Sequence, residues 1–133
     1  MNTELPMVPF SNLVMTDIWL WDKAEQKYVN MLITCDTGAS VTTISSDLLN
    51  KLGYDLTAGV TKRITTASSI EYVKSIQLEK MMLGDIEISD IEVYAHTFPL
   101  ESFSVGVLGL NVLSLFDVCF LFSKKLIVFN QYA

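Results

Sequence analysis

The sequence predicts an all-β domain, mostly strand with two short helices. Apolar, β-branched and aromatic runs recur along the chain, separated by clusters of polar and turn-forming residues. Only two stretches carry helix signals in place of strand signals. With 133 residues, 50% of them hydrophobic, the chain has enough apolar surface for one core and reads as a single domain over 1–133.

The elements follow in order. Ile18-Trp19-Leu20-Trp21, the polar turn 22–26 and the run 27–34 predict a hairpin whose second strand ends at Asp36. Trp19 and Trp21, two apart on one strand, share a face and are expected in the core or an interface. Residues 41–44 are β-branched almost throughout and predict the strand that leaves the Asp36 turn. Ser45 or Ser46 can cap a helix over 47–52, with Asp47 in its first turn and Gly53 at the position past its end. Residues 61–76 predict two extended arms around Ala67-Ser68-Ser69. A second hairpin is predicted over 76–83 and 86–95, turning at Gly84-Asp85, with Glu87 and Glu92 on a half-exposed face. A loop over 96–104 contains His96 and Pro99. It leads to a strand at 105–108 and a helix over 112–117, which Asp117 is expected to cap or salt-bridge. The apolar run Leu126-Ile127-Val128-Phe129 predicts a last strand that would be an exposed edge unless paired.

Composition excludes several function classes. The net charge of −6, from 15 acidic and 9 basic residues with no basic cluster beyond Lys62-Arg63 and Lys124-Lys125, lacks the electrostatic footprint of a nucleic-acid partner. Residues 105–122 form the longest apolar stretch, but Gly106, Gly109, Asn111, Ser114 and Asp117 interrupt it, so strand plus helix is expected there and no membrane anchor. Cys35 and Cys119 have neither metal spacing nor a disulfide framework, and the single His96 has no ligand partner, so no metal and no cofactor is expected. Both thiols read as reduced and structural. Glu4 and Pro6 stand where a signal peptide would carry a basic region and an apolar core, which points to a cytoplasmic protein. The mean hydropathy of +0.38 is high for a small domain and suggests that part of the surface is covered by a partner.

Asp36-Thr37-Gly38, closing the run Met31-Leu32-Ile33, puts a carboxylate at a strand end entering a tight turn, and Val107-Leu108-Gly109 supplies a second apolar strand ending in glycine. Together these segments resemble the retropepsin-like aspartic proteases, in which the Asp-Thr-Gly turn is braced by a later hydrophobic-hydrophobic-glycine strand that enters a short helix. The likeness spans residues 19–129. It implies a retropepsin-like barrel, one lobe per chain, and an aspartic endopeptidase acting on an extended polypeptide.

Because the chain holds one Asp-Thr-Gly, the resemblance implies a homodimer in which Asp36 faces its twin across a two-fold axis. Two adjacent carboxylates cannot both ionise, so they share a proton and polarise a water between them. Asp36 is then the catalytic acid/base. Thr37 is implied to bond across the axis, and Gly38 to let the backbone approach the dyad. Ala39, Ser40 and Val107 are implied to contact substrate, as are Ala67, Ser68 and Ser69 at the tip of a flap. The chain ends are implied to pair between subunits. Three positions depart from the retroviral pattern: Ser40 and Leu110 replace an acid and a base, and the flap tip lacks glycine. The first two point to a cellular or bacterial type of relative. The third favours the alternative reading, a catalytically silent peptide-binding or dimerisation module.

Overall fold

The computed structural model describes residues 1–9, 11–65, 67–97 and 104–132. Ten strands and two short α-helices follow in the order β1 (Asn2–Pro6), β2 (Met15–Asp22), β3 (Lys27–Cys35), β4 (Thr42–Ser45), α1 (Ser46–Lys51), a 3₁₀ turn (Leu56–Ala58), β5 (Val60–Thr65), β6 (Ile70–Leu83), β7 (Ile86–His96), β8 (Gly106–Leu108), α2 (Leu110–Leu113), β9 (Phe116–Leu121) and β10 (Leu126–Gln131).

Six strands close into a barrel in the order β2-β3-β8-β4-β7-β6, with β6 returning to β2 through Trp19 opposite Met82 and Leu20 opposite Met81. Closure removes the free edges an open sheet would leave. β5 lies outside the ring as an arm on the first half of β6, in register from Val60 opposite Ser75 to Thr65 opposite Ile70. A separate three-stranded sheet, β1-β10-β9, packs Leu5, Ile127, Phe129 and Phe116 into the same core as Ile18, Leu20, Ile33, Leu78 and Leu108.

Local chemistry explains several boundaries. The β2–β3 turn is held by Asp22 Oδ1, which accepts from Glu25 N–H at 2.9 Å, and Gln26 takes a φ of 55°. Ser45 caps α1 by accepting from Leu48 N–H at 3.3 Å, Asp47 lies in the first turn, and Gly53 follows with φ 88°. An added Cβ at Gly53 would also lie 2.8 Å from Ala24 N, so only glycine serves there.

Four expectations are corrected. The last helix is Leu110–Leu113 and not 112–117, because residues from Phe116 onward join β10 as a strand; Asp117 sits opposite Asn130 in that ladder. β10 is the middle of its sheet and is flanked by β1, so the chain ends pair with each other within one chain. Trp19 and Trp21 lie outside the core, since the alternation of β2 gives it to Ile18 and Leu20, so of the two places expected for them the core is excluded; Trp19 is 44% exposed, and Trp21 stacks edge-on with Tyr28 beneath the Lys80 ammonium. His96 ends β7, opposite Ser45, and does not begin the loop. The rest of that loop, with Pro99, lies outside the described residues. Among the described residues no helix is long and apolar enough to cross a membrane.

Candidate active site

The centre of the site is a strand threaded between two others. β8 runs parallel to β3, with Thr34 opposite Val107 and Cys35 opposite Leu108, and antiparallel to β4, with Thr43 opposite Val107 and Ile44 opposite Gly106. β3 and β4 are therefore forced apart, and residues 36–41 must arch over the end of β8. Asp36 stands at the start of that arch. Its N–H donates to Leu108 C=O at 3.1 Å, and its C=O accepts from Ala39 N–H at 3.2 Å, closing a tight turn.

Two glycines make the threading possible. A Cβ on Gly106 would collide with Thr43 C=O, and one on Gly109 would lie 2.6 Å from the Val41 carbonyl carbon. Both contacts are with backbone, which cannot swing aside. The glycine of Val107-Leu108-Gly109 thus marks a chain crossing.

The Asp36 carboxylate is held by its own turn: Oδ1 accepts from Gly38 N–H at 2.8 Å. A Cβ on Gly38 would lie 3.1 Å from the same oxygen. Asp36, Thr37, Gly38 and Ser40 are all exposed, and Ala39 is half-buried. The carboxylate is fixed at its root and presented at an open surface, uncovered among the described residues.

The far side of the arch is pinned by two residues that sequence reasoning left without a role. Asn111 Oδ1 accepts from both the N–H and the hydroxyl of Thr42, each at 2.8 Å, and Asn111 Nδ2 donates to Glu92 C=O on β7, also at 2.8 Å. Thr42 Oγ1 in turn accepts from Gly109 N–H at 3.0 Å. The first N–H groups of α2 finish the clamp, Leu110 donating to Ala39 C=O and Asn111 to Ser40 C=O. The available signal was a polar Asn inside the apolar run that follows Gly109.

The remaining predicted residues divide into two groups. Val107 lies under the turn, half-buried between Thr34 and Thr43, while Leu108 fills the core on the opposite face. Ala67, Ser68 and Ser69 form the exposed tip between β5 and β6, on a different hairpin from the turn. Cys35 precedes Asp36, and burial pushes its thiol up to about 12. Cys119 is exposed on β9, where a buried structural thiol would not lie.

A family model described as gag-polyprotein putative aspartyl protease matches residues 24–115, more than half the chain and the stretch that contains both motifs. The chain belongs to that aspartyl protease family. Among solved structures, the family fold recurs in a retropepsin-like aspartic protease from Rickettsia conorii, with a TM-score of 0.69 over 98% of this chain and 91% of that one. At 20% identity that likeness speaks for the fold alone. A comparison with curated proteins finds no match.

Proposed function

We propose that this chain is one half of an aspartic endopeptidase, completed when a second copy brings its own Asp36 across a two-fold axis. The observation that carries this reading is an anchored yet uncovered carboxylate: Asp36 is tied to Gly38 N–H at 2.8 Å and still lies at the surface. A turn residue with a purely local role has no need of an arch clamped from three strands.

In the dimer the two carboxylates would share one proton. The charged one takes a proton from the bound water as it attacks the scissile carbonyl, and the protonated one donates to the carbonyl oxygen. The shared proton belongs to the pair, so neither role belongs to one subunit. Thr37, exposed at the crest of the arch, would reach the opposite arch and set the separation. The Ala67-Ser68-Ser69 tip would close over an extended polypeptide and bond to its backbone, excluding water. Specificity would rest on pockets built from both copies. A cytoplasmic setting suits the free thiols.

Peptide libraries incubated at acidic and neutral pH test the reading. Cleavage is expected to be blocked by pepstatin-type inhibitors, to survive metal chelators, and to vanish in Asp36→Asn with the dimer intact. Turnover that persists in that variant removes the assignment.

A further inference from the structure

Among the described residues β5 pairs with β6 alone, while the other six strands of its sheet close on themselves. Successive residues of an antiparallel strand send their N–H and C=O groups to alternate sides, so half of these groups on β5 point away from the sheet. Five of its six residues are exposed, Val60 by 63%, and no proline interrupts it. Alternation puts Val60, Lys62 and Ile64 on one face and Thr61, Arg63 and Thr65 on the other.

The Lys62 face borders a cavity of about 460 Å³, which Val60 and Lys62 line together with Tyr54, Ser75 and Lys23 from the β2–β3 turn. Two acids of the cavity are already engaged: Glu92 accepts from the Ser75 hydroxyl at 2.7 Å, and Asp55 from the N–H and hydroxyl of Thr57 at 2.9 and 2.6 Å. Charge also sets this arm apart. Val60–Thr65 and the stretch of β6 paired with it, residues 70–75, hold Lys62, Arg63 and Lys74 against Glu71, in a chain whose net charge is −6. Paired centre to centre with a second copy, β5 would set Lys62 and Arg63 beside their twins, and like charges directly opposite are destabilising. The cations that bar a second copy admit a strand of the opposite sign.

We infer that an extended acidic polypeptide segment, with two neighbouring carboxylates among β-branched residues, adds to β5 as an outer strand. One carboxylate stands opposite Lys62 and enters the cavity between it and Lys23; the next stands opposite Arg63 on the other face. Main-chain bonds to the free edge supply affinity, and the cavity and the two cations supply the choice of sequence. The site is centred on the arm of the hairpin and not on the Ala67-Ser68-Ser69 tip or the Asp36 arch. It stands whether or not the chain cleaves peptide bonds.

Fluorescence anisotropy tests this with a labelled peptide that carries two adjacent glutamates in a run of valine and threonine. Asp36→Asn serves as the receptor, so that cleavage does not intervene. The peptide is expected to bind, to bind less well as salt is raised, and to stay bound when a pepstatin-type inhibitor is added, which separates this edge from the cleft of the proposed protease. Lys62→Glu with Arg63→Glu is expected to weaken binding roughly tenfold, and Lys23→Glu by a smaller factor. Lys124→Glu with Lys125→Glu makes the same change of net charge between β9 and β10 and is expected to leave binding unchanged. The same peptide N-methylated throughout keeps its charges, donates no main-chain hydrogen bond and is expected not to bind. The inference is overturned if the peptide fails to bind, if the inhibitor displaces it, or if the Lys62 and Arg63 changes leave its affinity as it was. Equal binding by the methylated peptide or by one with lysines for glutamates also overturns it, as does preference for a single-stranded oligonucleotide.

Discussion

Asn111 makes four hydrogen bonds, to Ser40, Thr42 and Glu92, and so ties α2 to the arch and to β7. Asn111→Ala strips the acceptor from Thr42 N–H inside this clamp, and leaving such a group unsatisfied costs about 1–3 kcal/mol. Urea denaturation is expected to show a loss of that size, with the proposed peptidase activity falling further because the arch that carries Asp36 loosens. The motif residues were legible because their chemistry is local: Asp36 and Gly38 bond to each other within one turn. Asn111 was not, since its partners lie far away in sequence and only the threading of β8 brings them together. Trp19 and Trp21 show the same limit. Alternation told that they share a face, but which face of β2 turns inward was settled by Ile18 and Leu20 meeting the rest of the core.

At the scale of elements, the caps and turns were read closely because each depends on a few neighbouring residues. Ser45→Ala removes the side chain that accepts from Leu48 N–H and is expected to cost about 1 kcal/mol, seen as a lower melting temperature, while Ser46→Ala leaves stability near wild type. The second hairpin held a signal that went unused. Ile86 and Ile88 are two apart, as are Ile91 and Val93, yet Ile88 and Ile91 are three apart. The strand must change phase between them, and Asp90 does so at φ 54°. The last helix was misjudged because residues 112–117 are apolar enough for either state. Pairing with β10, a long-range fact, assigns Phe116 onward to a strand.

The whole molecule should weaken at high pH. Burial pushes the Cys35 thiol from 9.0 and the Tyr54 hydroxyl from 10.0 each up to about 12. Unfolded chains release these protons first, so between about pH 9 and 12 the unfolded state binds fewer protons than the folded one and stability falls as pH rises. Below pH 9 the contribution is fully present. Urea midpoints measured across this range are expected to decline, and Tyr54→Phe should flatten the decline while losing the bond from the hydroxyl to Trp21 C=O. The order of the barrel has a further consequence, in time. β8 must lie between β3 and β4, yet it is made some sixty residues after them. Joining segments so distant in sequence is slow, since the entropy of a long loop is lost before any contact repays it. During synthesis the arch at Asp36 has nothing to span until β8 leaves the ribosome. A nascent chain therefore carries Asp36 without the arch that later fixes it.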